Sequence, residues 1–414
     1  MSFQQGLSGL NTASAALDTI GNNVANSGTV GFKMGTTEFA DVFSASLAGA
    51  GTAPVGLGAR VAGIAQQFTQ GNVSVTSNPL DMAINGGGFF RLQNATGDAV
   101  YTRSGQFQLN KDGYIVNPAG QELMGYNADA SGNITPSIAP LRLFDPTTAS
   151  DAPPLATGAS AGATGVQANL NLDSRDPIIA ATFDPTNATT YNNSTAATVY
   201  DSLGNPHTMS MYFQKSAAGA WNVFTQLDGG TASGATAIAF DASGNLTTPA
   251  TGIIAQSFAV TSGATTPLVF NLNLTGSTQY GSSFASNSIV QDGYASGSLA
   301  GFNIGTDGVI VGRYTNGQSK DLGQVILSNF RNPQGLQPLG GNTWAATSDS
   351  GTEMTGVPGS SNQYGPVQSA ALEDSNVDLT QELVNMIVQQ RAYQANAQTI
   401  KTQDQVLQTL VNLQ

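Results

Sequence analysis

Residues 375–414 read as one unbroken helix whose apolar stripe has no evident partner in the chain except the first thirty residues. Leu379, Leu383, Met386, Tyr393, Ala397, Ile400, Leu407 and Val411 recur at alternating spacings of four and three, with Gln390 and Asp404 filling the two gaps. Helices that wrap round one another carry such a heptad seam. At the other end Phe3, Leu7, Leu10, Leu17 and Val24 keep the same spacing, with Ser14 and Gly21 as its soft positions. Ile20, Ile387, Val388 and Leu410 lie beyond the seam and widen the apolar surface past a single neighbour. At 1.5 Å per residue the C-terminal helix would run roughly 57 Å and the N-terminal one roughly 35 Å. A hairpin of the two would leave about a third of the longer helix without company. Packing against further copies of the chain satisfies both the mismatch and the width.

A chain whose terminal stripes await other copies is expected to order its ends only on assembly. Composition points the same way. Charged residues make up 9% of the chain, against about 25% in an ordinary soluble domain. Glycine reaches 49 of 414 residues, and the 40% apolar content over this length implies roughly two to four domains. A net charge of −13 with no basic patch argues against nucleic acid as a partner. No apolar run of about 18 residues is present, so no membrane-spanning helix is expected. The first basic residue is Lys33, and the segment before it is amphipathic, which argues against a cleaved secretory signal peptide. Cysteine is absent, removing disulfides, thiolate catalysis and thiolate-bound metals together.

Along the chain, a first helix over residues 3–27 ends at the Asn26-Ser27-Gly28 breaker. From Gly31 to Asn78 the texture is extended or irregular. Phe89-Phe90-Arg91-Leu92 reads as a strand, and Phe107-Gln108-Leu109 with Tyr114-Ile115-Val116 flanks the hairpin turn Asn110-Lys111-Asp112-Gly113. Between 146 and 284 basic residues nearly vanish, yet His207–Phe213 and Trp221–Thr225 alternate at period two across a Ser216-to-Gly219 turn. The expected class is α+β and multidomain. Terminal α-helices would form a coiled-coil-like core domain (1–77 with 365–414), around a first β-domain (78–145 with 285–364). A second, mainly-β domain (146–284) would interrupt the first.

The candidate chemistries are weak. Gly158-Ala159-Ser160-Ala161-Gly162 matches a nucleophile elbow, but no apolar strand precedes it, and a Gly/Ala/Ser-rich linker yields such matches by chance. The single histidine, His207, reads as a surface or turn residue, since one histidine makes a poor metal site. Asp129–Asn133 and Asp241–Asn245 lack the closing acidic residue of a calcium loop and read as Asx-turns at hairpin tips. No enzyme, cofactor or metal site is expected.

The two ends also carry a resemblance. Ile20-Gly21-Asn22-Asn23-Val24-Ala25-Asn26 followed by Thr29-Val30-Gly31-Phe32-Lys33 resembles the N-terminal signature of bacterial flagellar rod, hook and junction proteins. Ala371-Leu372-Glu373-Asp374-Ser375-Asn376-Val377-Asp378-Leu379, then Glu382 and Gln390-Arg391-Ala392-Tyr393-Gln394-Ala395-Asn396, is similar to that family's C-terminal signature. Asn78–Gly86 with Gly88-Phe89-Phe90, Tyr101–Phe107 including Arg103, and Asn329–Leu336 look like its first β-domain. Tyr200-Asp201-Ser202-Leu203-Gly204-Asn205-Pro206-His207 resembles the insert of the hook-type members, which a distal rod protein would lack.

That resemblance implies an extracellular structural subunit of the flagellum, exported uncleaved through the flagellar type III channel. It would polymerise with itself into a short, curved, flexible tube that transmits torque from rod to filament. The distal rod protein, hook cap protein and hook–filament junction protein would be its partners. Another axial role, as distal rod or junction component, is the alternative. Helix packing falls to the seam and its flank, Phe3, Leu7, Leu10, Leu17, Ile20, Val24, Leu379, Leu383, Met386, Tyr393, Ile400, Leu407 and Val411, and the resemblance implies that these helices form the core of the tube. The family's signature positions are Asn22, Asn23, Asn26, Gly31, Phe32, Asn376, Asp378, Gln390, Arg391 and Asn396.

Overall fold

The computed structural model describes residues 2–42, 56, 58–129, 132–146, 152–159, 162 and 164–411. Its first helix, α1, covers Ser2–Ala25, and a long closing helix, α2, covers Leu379–Val411. Both ends are set by local hydrogen bonding. Asn26 stops α1, its carbonyl accepting the Thr29 amide at 3.1 Å and the Thr29 hydroxyl at 2.8 Å. Asp378 starts α2, its carboxylate accepting the amides of Thr380 and Gln381 at 2.9 and 3.1 Å, as an N-cap should.

The chain divides into two units, and both helices belong to the first. The first comprises Met1–Thr147, Gly301–Arg313 and Ser319–Gln414. The stretch after α1, which alternation alone leaves irregular, forms an antiparallel pair: β1 (Gly35–Val42) and β2 (Gly58–Gln66), with a bulge after Glu38. Interspersed Gly and Ala blur the period-two signal there. Further on, β3 (Val73–Val75) pairs with Ala371–Glu373 and β4 (Met82–Ile84) with Val367–Ser369, so each N-terminal strand is matched to a segment just before α2. Beyond these lies a sheet in which β5 (Phe89–Gln93) pairs with β6 (Ala99–Thr102), with Glu122–Ala128 and with Leu327–Asn329.

The double Phe of β5 divides two cores. Phe90 packs with Met82, Ile84, Leu92, Phe107, Ile115, Leu123 and Leu327. Phe89 points the other way, into Tyr101, Phe330, Leu336 and Trp344. The hairpin expected around Asn110–Gly113 forms, with Gln108 opposite Val116 and Leu109 opposite Ile115, while Tyr114 bridges to Arg142 instead.

The second unit comprises Thr148–Ala300 and Tyr314–Gln318. It is therefore longer than the expected 146–284. Strand Ala285–Gln291 pairs antiparallel with Val166–Asp173 and so belongs here, not to the first β-domain. Its exposed Ala285–Ser288 stretch lacks the alternation that would have placed it. One sheet is a five-stranded antiparallel meander running from Asn193–Tyr200 to Leu246–Thr248. The other contains Val166–Asp173, Ile253–Phe258, Leu268–Asn273, Thr278–Tyr280 and Ala285–Gln291. Val199, Met211, Phe213, Trp221, Leu170, Phe258, Phe270 and Leu272 fill one core drawn from both sheets.

Two minor expectations find their outcome here. Asp241 closes an Asx-turn on the amides of Ser243 and Asn245, and Asp129 does so on Asn133. Ser160 and Ala161 of the elbow-like run lie outside the described residues.

His207 is not the surface residue that its turn-like surroundings suggest. Its side chain is 11% exposed and held between two carboxylates: Nδ1 lies 2.6 Å from Asp228 and Nε2 lies 3.2 Å from Asp201. Asp201 also accepts from the amides of Leu203 and Asn205 and from the Ser262 hydroxyl, which turns Tyr200–His207 into a closed knot. Burial works against the imidazolium, but the bonds and charges of Asp228 and Asp201 outweigh it and raise His207 above 6.5. Burial likewise works against both carboxylates. Ser262, Asn205 and His207 hold Asp201 below 3.8, and His207 and the Thr208 amide do so for Asp228.

The stability that His207 contributes is complete below its unfolded pKa of about 6.5 and disappears as pH rises through its raised folded value. That of the two aspartates is complete above about pH 4 and disappears as pH falls through their depressed values. Thermal unfolding of the chain should therefore show the second unit most stable between about pH 4 and 6.5. His207→Ala should abolish the fall on the alkaline side, and a fall of the same size in the variant would refute the clamp.

Candidate assembly surface

The helices α1 and α2 lie antiparallel, and the contact between them is made of small and polar residues. Gly6 faces Ile400, Gly9 faces Asn396, and Asn23 reaches Glu382. The buried face of α1 continues through Thr12, Ala13, Ala16, Thr19 and Ile20. A Cβ placed on Gly9 would sit 2.7 Å from the side-chain nitrogen of Asn396, so a larger residue there would have to displace that side chain. The hydroxyls of Thr12 and Thr19 donate back to carbonyls one turn earlier, and Thr19 accepts from the Thr37 hydroxyl of β1 at 2.8 Å. The two chain ends thus pack against each other along this stripe.

What lacks a partner is the large apolar stripe. On the 3.6-residue turn, the stripe of Phe3, Leu7, Leu10, Leu17 and Val24 is centred roughly 110° round α1 from the buried face. Phe3, Leu7, Leu379, Leu383, Val384, Ile387, Val388, Tyr393, Val406 and Leu407 are between 37% and 55% exposed. Leu10, Leu17, Val24, Met386 and Ile400 are half-buried, and Ile20 alone of the assigned packing residues is buried. The Val411 side chain lies outside the described residues. Heptad reading picked the bulky positions, whereas the contact within the chain uses the adjacent stripe of small ones. Beyond Ile400, which lies opposite Gly6, α2 outruns α1, and Asp404–Thr409 are exposed.

Three buried fastenings tie this helix pair to the rest of its unit. In the first, Asn23 accepts the Gly35 amide at 2.9 Å and donates to the Gly35 carbonyl at 2.8 Å and to Glu382 at 3.0 Å, which joins α1, β1 and α2. Asn376 makes the second: it accepts the Met34 amide at 2.8 Å and donates to the Gln67 carbonyl at 2.7 Å.

The third is ionic. Lys33 Nζ lies 2.6 Å from Glu373 Oε1, Arg103 Nη1 lies 3.5 Å from Oε2, and the Lys33 and Glu373 side chains are fully buried. Desolvation pulls Lys33 and Arg103 below their ordinary values, with the Glu373 charge pulling each back up. Gly31 completes the junction. Its φ is +72°, its amide donates to the Glu373 carbonyl at 2.8 Å, and a Cβ there would fall 2.5 Å from the Ser104 amide nitrogen.

Comparison with known proteins decides what this arrangement belongs to. Four family models match: "Flagella basal body rod protein" over residues 3–33, "Flagellar hook protein FlgE/F/G D1 domain" over 83–148, "Flagellar basal body protein FlaE D2 domain" over 171–294, and "Flagellar basal body rod FlgEFG protein C-terminal" over 368–413. The chain is 44% identical to the flagellar hook protein FlgE of Escherichia coli (strain K12) over the full length of both. It belongs to the flagellar hook protein family. The FlgE of Borreliella burgdorferi is 34% identical over all of this chain and 99% of that one. The crystal structure of Helicobacter pylori FlgE2 covers 72% of this chain and all of its own at a TM-score of 0.51 and 15% identity, a likeness of fold.

Within this hook-family chain the signature residues now divide by role. Asn23, Asn26, Gly31, Asn376 and Asp378 hold the junction and the helix ends. Asn396 fills the space against Gly9, Phe32 is half-buried, and Asn22, Gln390 and Arg391 are exposed. The charges that matter most, Lys33, Arg103, Glu373 and Glu382, were not among the assigned site residues, although all sit inside the quoted motifs. The available signal was scarcity: in a chain with 9% charged residues, a charge amid apolar neighbours is a candidate for burial.

Asn23→Ala removes the partner of Glu382 Oε2 and the side-chain bonds to both polar groups of Gly35, leaving Glu382 Oε1 its bond from Asn385. It should destabilise the helix pair by about 3 kcal/mol. Guanidinium unfolding followed by far-ultraviolet circular dichroism reads this directly, and an unchanged midpoint would remove Asn23 from the junction.

Proposed function

We propose that neighbouring copies cover the exposed apolar stripes of α1 and α2, so that the helices build a coiled-coil-like wall of a tubular polymer. The chain is a structural subunit of the flagellar hook by family. The observation that carries the assembly reading is that both helices present half-exposed Leu, Ile, Val, Phe and Tyr side chains after their mutual contact is complete. Isolated surface leucines are ordinary, but ten such side chains on two paired helices mark an interaction surface. Copies joined head-to-tail through unlike surfaces would continue into a helical tube instead of closing.

On this reading the rod protein, the hook cap, the first junction protein and the type III export apparatus are the subunit's partners. Passage through that channel needs no cleaved leader. The second unit would supply contacts that shift as the tube bends. It is poor in charge, and exchanging one hydrogen bond for another costs little when each contributes about 0.5–1.5 kcal/mol net. Contacts made of buried ion pairs would resist such exchange, because separating them strands a charge at about 3–5 kcal/mol. A rod or junction role is the competing reading; the match to the FlaE D2 domain over residues 171–294 and the full-length identity to FlgE favour the hook.

Leu7→Glu and Leu383→Glu each place a charge on the half-exposed stripe, at positions 43% and 44% exposed. Each variant should fold with unchanged circular dichroism yet form no tubes under electron microscopy and support no swimming. Normal curved tubes from either variant would refute the assembly surface.

A further inference from the structure

The ionic knot at the base of the helix pair holds more charge than its packing explains. Lys33, Arg103 and Glu373 are 2%, 4% and 0% exposed, and two cations share one carboxylate. Lys33 also donates to the Thr69 carbonyl at 2.8 Å, and Glu373 also accepts the Gly71 amide at 2.9 Å. Arg103 stacks over Phe89 at 5.2 Å, and its buried Nε has no hydrogen-bond partner. The three residues come from three distant stretches: the turn after α1, the end of β6, and the strand before α2.

Stability is a poor reason for such a cluster. Well-packed apolar side chains of similar volume stabilise a core as well as a buried ion group, and often better. What ions add is intolerance of misalignment. If the turn after α1, the strand before α2 or the end of β6 slid by one residue, at least one buried charge would lose its counterpart. Apolar contacts permit such slippage at far lower cost. The excess positive charge makes Glu373 the keystone, since both cations depend on it.

We propose that Lys33, Arg103 and Glu373 form a register lock, fixing the helix pair against the β5–β6 layer so that twist applied to the helices reaches that layer without slip. This deepens the hook reading and rests on it. The three are positioning residues for torque transmission, not contacts between copies.

The test separates register from stability. In the full chain, Lys33→Met, Arg103→Met and Glu373→Leu together replace the cluster by apolar side chains. The subunit should keep a thermal midpoint at or above that of the unaltered chain. Hooks on tethered cells should nevertheless lose torsional stiffness, and electron microscopy should show a wider spread of curvature. Failure of this folded variant to form regular tubes supports the lock equally. Tubes of unaltered stiffness and curvature overturn it.

Glu373→Gln keeps the shape and the acceptor for the Gly71 amide while removing the charge, so it decides the matter should the triple variant not fold. It should form tubes of reduced stiffness, and unaltered stiffness again overturns the lock. If the unaltered chain builds no hook in a strain lacking its own hook protein, the hook reading fails instead.

Discussion

The close approach of α1 and α2 is the constraint from which the rest follows. Gly6 and Gly9, with Ala13 and Ala16, give α1 a face without bulk, and α2 settles into it. Two helices in contact can each bury only one stripe, and here that stripe has gone to the smallest side chains. The large apolar residues are thereby displaced to the flanks, where the described residues leave many of them about half-exposed. Had the leucines formed the seam, the pair would be a self-sufficient hairpin. Because glycine and alanine form it, the free energy of burying the leucines is available only to contacts with other molecules. The extra length of α2 adds to the same effect.

Scarcity of charge gives each ionic group an outsized local role. The chain has 13 basic residues, yet two of them meet on one carboxylate at the foot of the helix pair. The lone histidine is held between two aspartates that fasten a turn and two strands of the second unit. The first joins segments far apart in sequence, the second neighbouring strands of one meander. Ordinary surface pairs contribute little and are easily exchanged. Buried ones define a single mating of the parts, which suits joints inside a subunit and ill suits contacts that must change between subunits.

The sequence disclosed much of this and hid some of it for physical reasons. Periodicity found both helices, the β5 strand and the hairpins around Asn110–Gly113 and Ser216–Gly219, because turn residues and alternation agree there. It missed the β1–β2 pair, whose glycines and alanines carry no alternation, and it ended the second unit too early at Ala285–Gln291 for the same reason. The heptad pattern located the apolar stripes and gave no sign of the small-residue stripe that the two helices use between themselves. No periodicity analysis weights Gly6 and Gly9 as contact residues, since their contribution lies in absent atoms. The Lys33–Glu373 pair spans almost the whole chain and has no local signature at all.

These features settle where a bending tube can yield. Within one copy, Gly31 cannot accept a side chain, Asn23 has every hydrogen bond to Gly35 and Glu382 satisfied, and Glu373 is bound from three sides. Compliance at that junction would break several buried polar contacts at once, so the subunit's own base must stay stiff. Between copies, the apolar stripes make contacts without direction, and a leucine loses little when it moves from one neighbouring groove to the next. Polar surfaces of the second unit exchange hydrogen bonds at similarly small cost. On the proposed assembly, flexibility would therefore reside between subunits, and rigidity within them, as a consequence of which residues are apolar, which are paired and which are missing a side chain.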